Sequence, residues 1–151
     1  MPDRFTPTWT ISIDRPQQQV FDYITDVARH GEWSPKPYRV EGAPSAPVTS
    51  GTTFVSYGWI PGDKEHRNDC QITAVDAPNS LVIRSKEKDA EFVNTFRLST
   101  NNGATVVERE IDMPKPPGVV GVLFPVLLAT VIRPGVQKGM KMLKTNLEQA
   151  T

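Results

Sequence analysis

Between residues 38 and 113 the chain reads as six successive strand-like stretches separated by turns, and no other feature limits its fold so tightly. The clearest is Glu91–Ser99, where Phe92, Asn94, Phe96 and Leu98 alternate with Val93, Thr95, Arg97 and Ser99. A period of two places successive side chains on opposite faces of a strand, so the first set is expected to face inward. Tyr38–Glu41, Thr52–Ile60, Lys64–Asp76, Ser80–Lys86 and Ala104–Met113 are the other strand candidates. Turn chemistry separates them at Ser50-Gly51, Pro61-Gly62-Asp63, Pro78-Asn79, Lys86–Asp89 and Asn101-Asn102-Gly103. Short links of this kind join neighbouring antiparallel strands and leave no room for crossover helices.

The flanks are of another character. Thr8–Ile13 alternates Trp9, Ile11 and Ile13 with threonine and serine, which predicts one more strand. Pro16 then suits the first turn of a helix carrying Val20, Phe21, Ile24 and Val27 on one face. A second short helical turn is expected over Val27–Trp33, stopped by Ser34-Pro35-Lys36-Pro37. Beyond Pro114, a run of 17 residues from Pro116 to Ile132 holds no charge. It is shorter than the roughly 20 residues of a membrane span and is interrupted by Pro125. A final helix follows, with Val136, Met140, Leu143 and Leu147 on one side and Lys138, Lys141 and Lys144 on the other. Pro125 and Pro134 are expected to break this long C-terminal helix beside the mouth of a pocket.

Composition narrows the function. With 151 residues the chain has the size of a single domain spanning 1–151. Seventeen basic residues balance seventeen acidic ones, so no basic face for nucleic acid is expected. A lone cysteine makes no internal disulfide, and a reducing, cytoplasmic setting is the expectation. The first ten residues carry no apolar stretch of the signal-peptide kind. His30 and His66 lie too far apart for any zinc spacing, and no glycine-rich phosphate loop or Gly-x-Ser-x-Gly occurs. Neither a metal nor a cofactor is therefore expected.

Strand, two short helices, a run of about six strands and one long helix make an α+β domain, with the sheet curved around the last helix. Thr10–Pro16, Val20–Asp26 and Trp33-Ser34-Pro35 resemble the opening of the START-like, helix-grip superfamily (SRPBCC), which includes polyketide cyclase/dehydrase and lipid-transport-like proteins. Gly51–Phe54, Ile72–Pro78 and Met140–Leu147 extend that resemblance over nearly the whole chain. It implies a helix-grip fold, with an antiparallel sheet of about seven strands wrapped around the C-terminal helix. It also implies a partner that is a hydrophobic small molecule, either bound or cyclised.

The candidate site follows from strand phase. On the last strand Arg109 shares a face with Thr105, Val107, Ile111 and Met113, where a guanidinium would clamp a carboxylate, phosphate or enolate oxygen. His66 shares a face with Asn68, Cys70 and Ile72, which makes it a candidate acid/base, although its acidic and basic neighbours suit a solvated strand end. Arg109 and His66 are thus the catalytic candidates. Trp33, Phe54, Asn68, Phe92, Asn94, Phe96, Val107, Arg109 and Ile111 are expected to line the ligand, with Leu123 and Leu127 completing the wall. Tyr57 and Trp59 lie on the strand face opposite Phe54, Cys70 reads as a small buried hydrophobe, and His30 as an exposed helix-end residue. For the apolar stretch 119–132 a cavity wall ranks first, a homodimer contact second and a membrane contact third. The leading expectation is a non-covalent binder of a lipid- or polyketide-like molecule. The rivals are a cyclase or aromatase using Arg109 and His66, and a lipid-transfer or docking module using 119–132.

Overall fold

Each strand-like stretch becomes a strand in the computed structural model, which describes residues 4–88 and 90–150. Asp89, at one of the expected turns, and the first three residues lie outside the described residues. The strands are β1 (Arg4–Phe5), β2 (Thr8–Ile13), β3 (Arg39–Glu41), β4 (Thr53–Ile60), β5 (Asp63–Asp76), β6 (Ser80–Glu87), β7 (Ala90–Asn101) and β8 (Ala104–Pro114). They form one antiparallel sheet in the order β1-β8-β7-β6-β5-β4-β3, with β2 also on β8. The count is eight rather than seven because the edge strand along β8 is divided around Pro7, which has no N–H to give; its carbonyl still accepts from the Ile111 N–H at 3.1 Å.

The first helix, α1 (Gln17–Thr25), and a 3₁₀ segment (Val27–Trp33) follow β2, and α2 (Gly118–Leu127) and α3 (Arg133–Gln149) follow β8. The inward faces of α1 and α3 meet the concave face of the sheet. Ile13, Val20, Ile24, Val27, Ile72, Leu81, Val107 and Leu143 are wholly buried there. At about 25 cal/mol per Å² this burial is the main force holding helices to sheet. Polar ties fix the angle: Lys144 Nζ donates to Ser12 O at 2.7 Å, and Asn146 Nδ2 donates to Glu32 O at 2.9 Å. Gly139 is where α3 passes closest to the 3₁₀ segment, since a Cβ there would stand 3.0 Å from Trp33 O.

Two expectations fail in the C-terminal third. The helix is not broken at Pro125 or Pro134 but runs on from Gly118 to Gln149. Between the two prolines, Leu128–Ile132 widens into a π turn in which Arg133 N–H donates to Leu128 O, five residues back. Each proline removes one N–H from the ladder, and a locally wider helix accommodates the loss without a break. Leu123 and Leu127 do not line the interior either; they are 56% and 37% exposed. Gly121 and Phe124 take the inward positions of α2, with Leu128 and Ile132 continuing that stripe, so Leu123 and Leu127 are turned away from it.

Candidate functional site

The strand register decides which inward residues meet. Successive partners Trp9, Arg109, Phe96 and Leu81 form one row across β2, β8, β7 and β6. Ile111, Asn94, Ile83 and Ile72 form the next, and Phe92, Ser85, Cys70 and Phe54 the one beyond. Arg109 reaches back diagonally, and its Nε donates to Asn94 Oδ1 at 3.0 Å. Its guanidinium carbon stands 5.2 Å from the Phe96 ring and 5.7 Å from the Trp33 ring. Trp33 itself meets Phe96 edge-on, with centroids 6.1 Å apart.

The 3₁₀ segment lowers His30 and Trp33 onto this row. Their rings are 4.8 Å apart, and His30 also stacks on Tyr38 at 6.4 Å. Gly31 makes the arrangement possible, because a Cβ there would stand 2.5 Å from Tyr38 O. His30 Nε2 lies 2.7 Å from Ile24 O. A carbonyl only accepts, so Nε2 carries the proton and Nδ1 is left with a free lone pair. Burial lowers the His30 pKa to about 4, with the nearby Arg109 charge acting in the same direction, so the ring is neutral at physiological pH.

Arg109 is the unusual group. Burial lowers its pKa to about 10, and among the described residues no carboxylate offsets that loss of solvation. It keeps some accessible surface although protein surrounds most of it. Buried cations are normally paired, because an isolated charge in a poorly solvating interior is costly. Beside it the Trp33 indole N–H is buried with no partner among the described residues. A row of small polar groups continues across the sheet: Ser56 Oγ and Ser85 Oγ each lie 3.5 Å from Cys70 Sγ. Burial holds the Tyr38 hydroxyl pKa above its usual value.

Of the residues expected from sequence, Trp33, Asn94, Phe96 and Arg109 converge here, with Val107 and Ile111 on the same inner face of β8. Phe54, Asn68 and Phe92 lie on the inner face farther along the sheet. His66 does not join them. Arg109 is level with Val75 of β5 through Phe96 and Leu81, and His66 sits nine residues down that strand. There Glu87 Oε2 at 2.6 Å and Asp63 Oδ2 at 3.1 Å flank it, and these carboxylates hold its pKa above the ordinary histidine value. A mechanism coupling His66 to Arg109 therefore finds no support in the geometry. His30 and Tyr38 are the residues sequence reasoning missed; His30, expected to be exposed, lies inside. The strand phase that finds Arg109 is silent about a 3₁₀ turn, and only the packing of that turn onto β8 reveals the histidine.

Two surface cavities lie elsewhere. One of about 940 Å³ runs between α1, the end of α3 and the Ala46–Val48 loop, and one of about 600 Å³ crosses β4, β5 and β6. In the first, Arg29 and Glu32 pair at 3.0 Å, and in the second Arg84 and Glu91 pair at 2.8 Å. Each groove holds charges of both signs on its surface. The interior around Arg109 holds an uncompensated one, which makes it the stronger candidate despite the size of the grooves.

The same architecture recurs among solved structures. A protein from Arthrobacter aurescens is similar with a TM-score of 0.73 at 15% identity, over 97% of this chain and 87% of that one. A START superfamily protein from Mycobacterium smegmatis gives 0.72 at 12% identity, over 97% and 99%. The di-domain ARO/CYC protein StfQ of the steffimycin biosynthetic pathway gives 0.77 at 11% identity, over 97% of this chain and 51% of that one. Among curated proteins no sequence matches the chain. The model of the family described as polyketide cyclase/dehydrase and lipid transport matches residues 4–148, nearly the full length. With that match and the eight-stranded sheet closed by one long C-terminal helix, the chain belongs to this family of START-like, helix-grip proteins.

Proposed function

We propose that the protein binds a hydrophobic small molecule carrying an acidic or enolisable oxygen, lipid- or polyketide-like in character, between the sheet and the helices. One observation carries this reading: Arg109 is largely surrounded by protein, lies beside the Trp33 and Phe96 rings, and has no carboxylate partner among the described residues. A ligand oxyanion would supply the missing charge and accept from the guanidinium, while the rings hold the apolar body. The Trp33 indole N–H offers a second donor. Family membership supports the ligand class. The test is calorimetric titration with aromatic and fatty carboxylates against matched amides. Carboxylates bind at least tenfold tighter than amides to the wild type and equally to Arg109→Gln; equal binding to the wild type removes the reading.

A second reading has its own support. His30 is neutral, has a free Nδ1 and adjoins both Arg109 and the Tyr38 ring. It would accept a proton from a carbon between two carbonyls while Arg109 stabilises the enolate oxygen, as an aldol-type cyclisation requires. Conversion of a poly-β-ketone analogue by wild type and by His30→Gln alike would remove that role for His30.

A further inference from the structure

We propose that the outward face of α2 and the π turn docks on an anionic lipid surface, lying in the interface and not crossing it. This is independent of what Arg109 binds. Val119 and Val122 are each 75% exposed, and Val120, Leu123, Val126 and Val131 are more than half exposed. This stretch uses only one stripe for packing, with Phe124 stacked on Phe5 at 4.8 Å, yet it is apolar on the other side as well. An exposed apolar face of this extent signals a surface that is covered when the protein works.

Charge selects the occupant. In a chain of zero net charge, every charged residue between Asp112 and Glu148 is basic. Of these, Arg133, Lys138 and Lys141 are exposed on the helix that continues from the apolar face. An apolar face whose own segment carries only cations matches the acyl boundary and the negative headgroups of an anionic leaflet. A second copy of the chain fits worse, since pairing two such faces brings like charges together with no acidic residue of the segment to offset them. By length and composition the helix Gly118–Gln149 is long and apolar enough to cross a bilayer, but its uncharged part, 118–132, makes only about 22 Å of helix against a hydrocarbon core of about 30 Å. Beyond Arg133 the helix is also committed to the core through Met140, Leu143 and Leu147.

The test is flotation of the full chain with phosphatidylcholine vesicles, with and without 30% phosphatidylglycerol, at low and high salt. Three basic residues near the surface predict binding on the order of a hundredfold tighter to the anionic vesicles, weakened by salt. Val122→Asp with Val126→Asp removes flotation, and an unchanged melting temperature shows that folding is intact, as both sites are exposed. Lys138→Gln with Lys141→Gln lowers the preference for anionic lipid to about fivefold, the share of Arg133 alone. The proposal is overturned by absent wild-type flotation, by equal flotation with both vesicle types, or by flotation that survives the aspartates. A dimer in sedimentation that the aspartates dissolve, without vesicle binding, assigns the face to a second copy and equally overturns it.

Discussion

Replacing Arg109 with methionine should make the ligand-free protein more stable, and the size of the gain follows from the structure. Burial lowers the guanidinium pKa from its ordinary value to about 10. At pH 7 the group is protonated in both folded and unfolded chains, so the folded state bears the whole cost of the buried charge, about 3 kcal/mol. That cost would be relieved only above pH 10, where the unfolded chain holds the proton that the folded one gives up. Methionine fills similar space without charge and keeps favourable contacts with the Trp33 and Phe96 rings. It also removes the bond to Asn94 Oδ1, and leaving that oxygen unpaired costs about 1–2 kcal/mol. The balance is a gain of about 1–2 kcal/mol, or roughly 2–8 °C in melting temperature for a domain of this size. Paired thermal and urea melts at pH 7 measure it. With an acidic ligand at about a hundred times its Kd the order should reverse, because only the wild type gains the roughly 2.7 kcal/mol of binding. An Arg109→Met variant less stable than wild type without ligand would refute the claim that this charge is uncompensated.

Two further predictions concern the same region. His30 has a folded pKa of about 4, below the 6.5 of the unfolded chain, so acid protonates the unfolded state first. Its contribution is full above pH 6.5 and lost progressively toward pH 4, by about 3 kcal/mol; urea melts of His30→Asn across that window should show a flatter slope. His66 works in the opposite sense, its raised pKa favouring the fold at low pH, so an unchanged slope in the His30 variant would assign the acid sensitivity elsewhere. Gly31→Ala places a methyl 2.5 Å from Tyr38 O, which should cost about 1–3 kcal/mol in chemical denaturation and displace Trp33, seen as a change in near-ultraviolet dichroism.

The meander was legible because alternation is a local property. Phe92, Asn94, Phe96 and Leu98 declare an inner face whatever they touch, and Tyr57 and Trp59 declare the outer one, where Arg39 and Lys36 indeed cover their rings. Arg109 was legible for the same reason, as the one charge on the inward phase of β8. His30 was not, because a short 3₁₀ turn has no reliable hydrophobic period and its inward side depends on what packs over it. Register was invisible too: two inward residues on different strands read alike, and only pairing across β5 to β8 shows that His66 and Arg109 lie far apart along the sheet. The stretch 119–132 misled for a related reason. An apolar run states that surface is to be covered but not by what, and Leu123 and Leu127 turned outward once Gly121 and Phe124 had taken the packing positions.

The sequence by itself determined the strands, their turns, the α+β class, the family likeness and the inward placement of Arg109. All of these rest on periodicity and on residues whose φ or hydrogen bonding is fixed locally. The tertiary structure alone decided that Arg109 stands without a carboxylate among the described residues, that His30 lies beside it held neutral, that His66 is tied up elsewhere, and that one helix face is left bare. Charge pairing, desolvation and exposure are relations between residues distant in the chain, and they exist only once the sheet has closed on its helices.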